Sequence, residues 1–98
     1  MEKNTPHCKL VAVKALIADG KVRMTTASIS GALLMGFDRK AVIDVVMHLE
    51  NTDFYKSMTT HADHRVWQDV YHPATTAGGV YLKLTVIEDV LIVSFKEL

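Results

Sequence analysis

A chain of 98 residues, 49% of them apolar, can build one modest core but not two, so residues 1–98 are expected to form a single domain and not a disordered segment. Eleven basic and eleven acidic side chains cancel, which excludes a generally basic nucleic-acid coat, so any contact with RNA or DNA must rest on local clustering. The lone cysteine, Cys8, excludes an internal disulfide and fits a reducing compartment, most simply the cytoplasm; "MEKNTPHCKL" is not expected to act as a secretory leader, and no apolar run approaches the ~20 residues of a membrane span.

In chain order, "NTPHCKLVAVKALIADG" predicts a helix with Thr5 as cap, Pro6 in its first turn, Leu10, Val13 and Ile17 on one face, and Gly20 as its stop. "KVRM" is a short strand. "TASISGALLMG" is a weaker helix, capped by Ser28 or Thr26 and ended at Gly36. "DRKAVIDVVMHLEN" is a stronger one: Asp38 caps it, and Val42, Val45, Val46 and Leu49 recur at helical spacing. After Asn51 the period drops to two, and "FYKSMTT", "RVWQDVY", "VYLKLTVI" and "VLIVSFK" read as strands. Short connections make them antiparallel neighbours. The expected class is α+β, with helices covering one face of the sheet.

Strand parity carries this further. If Glu88 and Asp89 form the last hairpin's loop, Ile87 opposes Val90, Thr85 opposes Ile92, Lys83 opposes Ser94 and Tyr81 opposes Lys96. Val80, Leu82, Leu84 and Val86, with Leu91, Val93 and Phe95, then make the core face. Tyr81, Lys83, Thr85, Ser94 and Lys96 gather on the other, a pattern that an ordinary solvated face would also give. The block "DFYKSMTTHADHRVWQDVY" is harder. A five-residue loop over 60–64 opposes Thr59 to Arg65 and Lys56 to Gln68, but both faces come out mixed. His61 and His64, with His72 nearby, lack the further ligands of a zinc site, so no metal is expected. They are turn residues or RNA contacts, and Arg65 beside them suits a phosphate.

"DFYKSMTTHADHRVWQDVY", "GGVYLKLTVIEDVLIVSFKE", "MEKNTPH" and "GKVR" closely resemble the MqsR toxins of bacterial toxin–antitoxin systems over nearly the whole chain, more loosely between Thr26 and Glu50. The resemblance implies a RelE-like fold and a metal-independent endoribonuclease, without cofactor, that cleaves messenger RNA, preferentially around GCU. It implies neutralisation by an MqsA-like antitoxin with a zinc-binding amino-terminal domain and a helix-turn-helix domain, through which alone operator DNA would be bound. The family's activity residues fall on Lys56, Gln68, Tyr81 and Lys96. Lys83, Arg65, His61 and His64 are expected to contact RNA. On this reading Lys56 and Gln68 open onto the face of Tyr81 and Lys96, while Tyr55, Trp67 and Tyr71 turn to the core side.

Such an enzyme uses the ribose 2′-OH as nucleophile, so its protein supplies a base, a proton donor and positive charge at the phosphorane. The base is Lys56 or Tyr81. Clustered lysines should lower one another's ammonium pKa. Lys96 suits phosphate charge, and Gln68 suits orienting the phosphate or reading a base edge. The competing reading is a non-catalytic RNA- or partner-binding module that keeps the toxin fold.

Overall fold

The change of period after Asn51 divides the chain. In the computed structural model, which describes residues 1–98, the three helices precede the long strands. The elements are β1 (Glu2–Lys3), α1 (Leu10–Ala18), β2 (Val22–Met24), α2 (Thr26–Leu34), α3 (Arg39–Met47), β3 (Phe54–Thr59), β4 (Trp67–Tyr71), β5 (Ala74–Thr75), β6 (Gly78–Ile87) and β7 (Asp89–Glu97). The sheet runs β1-β3-β4-β6-β7-β2, with β5 pairing the start of β6 off this path. Every pairing is antiparallel except that of β2 with β7. The class is α+β as expected, and no helix is long and apolar enough to cross a membrane.

Helix α1 departs from its predicted start. It begins at Leu10, and its N-cap, Lys9, makes no side-chain cap bond. Thr5 and Pro6 lie upstream because the next two amides are claimed elsewhere. The buried carboxylate of Asp69 accepts the backbone N–H groups of His7 and Cys8, each at 3.0 Å. A tertiary acceptor has thus displaced the local cap. The predicted face survives, with Leu10, Val13 and Ile17 all buried. In α2 the cap is Thr25, whose hydroxyl accepts the Ser28 N–H at 3.1 Å, while Ser28 is buried and donates its own hydroxyl to Thr25 O. Asp38 caps α3 as predicted, accepting the Ala41 N–H at 2.8 Å.

The covered face of the sheet holds Tyr71, Val80, Leu82, Leu84, Val90, Ile92 and Phe95, packed with Val13, Val42, Val46 and Leu49 from the helical layer. Two of these correct the expected core. Val90 and Ile92 are buried, while Leu91 and Val93 are only partly so. The pairing runs Ile87 with Asp89, Val86 with Val90 and Leu84 with Ile92, then jumps to Lys83 with Ser94, leaving Val93 as a bulge. Thr85 accordingly opposes Leu91, not Ile92. Glu88 alone forms the tip, at φ 67. Because a bulge adds one residue to one strand, it reverses which side chains face inward.

Gly31 sets how closely α2 approaches the sheet. A Cβ there would overlap the carbonyl oxygen of Phe95 and touch Cβ of Lys96. Backbone cannot swing aside as a side chain can. Gly31→Ala is therefore expected to cost about 1–3 kcal/mol, the usual overpacking range, seen as a fall in Tm of roughly 5–20 °C. An unchanged Tm would show that β7 yields freely at Phe95.

Candidate active site

The open face is built from alternate residues of four strands. Along β3 and β4, Lys56 opposes Val70 and Met58 opposes Gln68. Residues 60–66 form the loop, longer than the predicted 60–64, so Thr59 opposes Trp67 and Lys56 does not oppose Gln68. The slip moves the pairing by an even number, so Lys56 and Gln68 still share a face. Val70 opposes Lys83 on β6, and Tyr81 opposes Lys96 on β7. Lys56, Gln68, Tyr81, Lys83 and Lys96 therefore all open on the side away from the helices.

Tyr71 points to the core as expected, fully buried, and Trp67 lies partly buried at the covered rim under His7, ring centroids 5.6 Å apart. Tyr55 does not join them. The register shifts between Phe54 and Lys56, and Phe54 takes the inward place, edge-on to Tyr71 at 5.4 Å. Tyr55 is thereby turned out, 52% exposed, and its ring stacks on His72 at 4.3 Å. His72 in turn meets Tyr81 at 5.8 Å. The Lys96 ammonium stands 5.2 Å from the centre of the Tyr81 ring, and that of Lys56 5.5 Å from Tyr55.

The lysines differ electrostatically. Burial, and then the nearby Lys96, lower the pKa of Lys83, as clustering predicts. Lys56 goes the other way. Its ammonium donates to Glu2 Oε2 at 2.8 Å, and this bond raises its pKa while lowering that of Glu2. For Lys56 the expected depression fails because the carboxylate of Glu2 on β1 outweighs the burial that would lower it. Sequence pattern offered no sign of Glu2, since a two-residue strand has no periodicity to read.

The histidine–arginine group lies apart. His61, His64 and Arg65 are exposed in the 60–66 loop, at the far end of the β3–β4 hairpin from Lys56. Arg65 is held by Asp63, Nε to Oδ1 at 3.1 Å and Nη2 to Oδ2 at 3.3 Å. No group of three or more His, Cys, Asp or Glu is placed to hold a metal ion. The surface concavities also lie elsewhere, along α3 and Pro73–Thr76, beside α2, and by Thr5–Val11. The candidate site is thus an open sheet face and not a cleft, a shape suited to a strand of polymer.

The family model described as "motility quorum-sensing regulator, toxin of MqsA" matches residues 5–97. The chain belongs to the MqsR toxin family. Within that family it is 54% identical over 97 residues to the mRNA interferase toxin MqsR of Escherichia coli (strain K12), covering 99% of each chain. The MqsR resemblance first read from "FYKSMTT", "WQDVY" and "SFKE" thus extends through the looser helical region.

The Glu2–Lys56 pair carries a pH prediction. Glu2 is lowered, so its contribution is present above the ordinary carboxylate range and lost as pH falls through its folded pKa. Lys56 is raised, so its contribution is present below the ordinary lysine range and lost as pH rises through its folded pKa. The pair holds β1 to β3 fully between roughly pH 4.3 and 10.4. Glu2→Gln should bring the Lys56 titration midpoint, followed by NMR at its Cε protons, back down toward the ordinary lysine range. A midpoint that stays raised would show that another group holds the charge.

Proposed function

We propose that this chain is a metal-independent endoribonuclease toxin that cleaves messenger RNA, preferentially at GCU-type sites. The observation that carries the reading is the convergence of Lys56, Gln68, Tyr81, Lys83 and Lys96 on one uncovered sheet face. Tyr81, acting as the phenolate, takes the proton from the ribose 2′-OH and becomes the phenol, while the 2′ oxygen attacks the adjacent phosphorus. The P–O5′ bond breaks, giving a 2′,3′-cyclic phosphate and a 5′-OH. Of the two candidate bases Lys56 is the poorer, since Glu2 keeps it an ammonium; it gives the proton to the departing 5′ oxygen. Lys96 and Lys83 stabilise charge on the phosphorane, and Gln68 orients the phosphate or reads a base edge. Arg65, His61 and His64 lie where RNA leaving the hairpin end would pass.

The same reading makes residues 1–98 one toxin domain acting in the cytoplasm, where its messenger RNA is. Its partner is an MqsA-like antitoxin whose zinc-binding domain holds the toxin and whose helix-turn-helix binds operator DNA, the toxin alone not binding it. Neutral net charge accords with this, because a few phosphates need only a local basic patch. The test incubates antitoxin-free protein with RNA in EDTA and maps the ends. Cyclic phosphate and 5′-OH termini at GCU are expected. Folded protein that binds RNA or antitoxin without cutting would favour a non-catalytic binding module.

A further inference from the structure

Tyr55 is the one aromatic among the large hydrophobic side chains that the molecule exposes. A half-exposed phenol ring on a free strand would sweep several rotamers, yet this one is fixed. It occupies the bulge before Lys56, one ring face stacks on the His72 imidazole with the two planes 21° apart, and the Lys56 ammonium stands 5.5 Å from its centre. The backbone at His72 is held by its main-chain N–H, which donates to Asp53 O at 2.8 Å, and its ring contacts Tyr81. The three rings form a continuous row from the exposed edge of the site to the phenol that the proposed chemistry uses.

His72 Nε2 is buried and has no hydrogen-bond partner. That nitrogen therefore takes no part in hydrogen bonding or proton transfer in this arrangement. The contacts the ring does make are with the rings of Tyr55 and Tyr81. The residue pattern left His72 as a turn residue or an RNA contact and the resemblance turned Tyr55 to the core side, so neither was expected among the activity residues.

We propose that Tyr55, backed by His72, is the platform on which a base adjoining the cleaved phosphodiester stacks, with Tyr55 a binding residue and His72 a positioning residue. The ligand class is a single-stranded ribonucleotide, since bases become available for stacking on aromatic rings only when unpaired. The ring's fixed orientation spares the ordering cost of binding, and the Lys56 ammonium beside it sets a phosphate next to the stacked base. This rests on the endoribonuclease reading above.

The test uses an oligoribonucleotide with 2-aminopurine beside the cleavage site, in a cleavable form and in a form blocked by 2′-O-methylation at the attacking ribose. Wild-type protein should quench the fluorescence of the blocked form. Tyr55→Ala should abolish the quench and raise KM for the cleavable form by about 5- to 150-fold, with kcat little changed, the range of losing one stacked base. Tyr55→Trp should keep both. His72→Phe, which preserves ring faces and removes both nitrogens, should stay close to wild type, whereas His72→Ala should lose part of the quench and gain in KM. Quench and KM unchanged in Tyr55→Ala overturn the platform, as does a fall in kcat alone. His72→Phe as damaged as His72→Ala overturns the positioning role. Those results leave RNA cleavage by the wild type intact, whereas a wild type that neither cleaves nor quenches overturns the platform and the endoribonuclease reading together.

Discussion

Tyr81→Phe is expected to lower kcat for RNA cleavage by roughly 10²- to 10⁴-fold, the usual loss when a positioned acid–base group is removed, with little change in KM or Tm. The substitution deletes one oxygen. It keeps the ring that touches His72 and that lies under the Lys96 ammonium, and it leaves the pairing of residue 81 with Lys96 undisturbed. A drop in kcat is therefore assignable to the hydroxyl and not to collapse of the aromatic row. Steady-state cleavage of a single-site oligoribonucleotide separates the parameters. If the folded variant cleaves within about twofold of wild type, Tyr81 is not the proton acceptor, and Lys83, the lysine whose pKa is lowered, takes its place as the group to test. A rise in KM alone would instead make Tyr81 a contact surface.

That Tyr81 and Lys96 face one another was legible from alternation alone, but only because two departures cancel. A single tip residue, Glu88, shifts the pairing one way, and the Val93 bulge shifts it back before Lys83 meets Ser94. Between them the inward face was misread, with Leu91 and Val93 in place of Val90 and Ile92. Nothing in "VLIVSFK" marks the bulge, since four successive apolar residues satisfy either face. The same holds at "DFYK", where two adjacent rings cannot both point inward and the bulge turns out Tyr55. The helices show the complementary limit. Their apolar faces were readable from spacing, but the start of α1 was not, because Asp69, distant in sequence, takes the amides that Thr5 was expected to cap. Local chemistry is legible when local partners decide it. Bulges and long-range acceptors are decided by packing of the whole sheet.

Asp69→Ala should be strongly destabilising, about 3 kcal/mol, since one buried and two part-buried donors lose their acceptor and each such loss costs roughly 1 kcal/mol or more. Asp69 is 2% exposed and serves three donors: Oδ1 accepts the His7 N–H at 3.0 Å and the Ser57 hydroxyl at 2.6 Å, and Oδ2 accepts the Cys8 N–H at 3.0 Å. Ser57 has a fallback in the Gln68 carbonyl oxygen at 3.4 Å, so the loss concentrates on the two amides. Those amides tether the segment between β1 and α1. Freeing them loosens His7 from Trp67, and with it the strand that brings Glu2 to Lys56. Asp69→Asn should be milder, about 1–2 kcal/mol, because the amide retains Oδ1 for His7 and Ser57 but turns an N–H₂ toward the Cys8 N–H. Thermal unfolding should therefore order the proteins wild type, Asn, Ala, with a Tm fall for Ala of roughly 12 °C or more. Amide exchange supplies the local reading: protection at His7 and Cys8 should vanish in Asp69→Ala, and in Asp69→Asn it should weaken at Cys8 while His7 stays protected. Equal loss at both amides in the Asn variant would mean that the negative charge, and not the match of donors to acceptors, holds the amino-terminal segment in place.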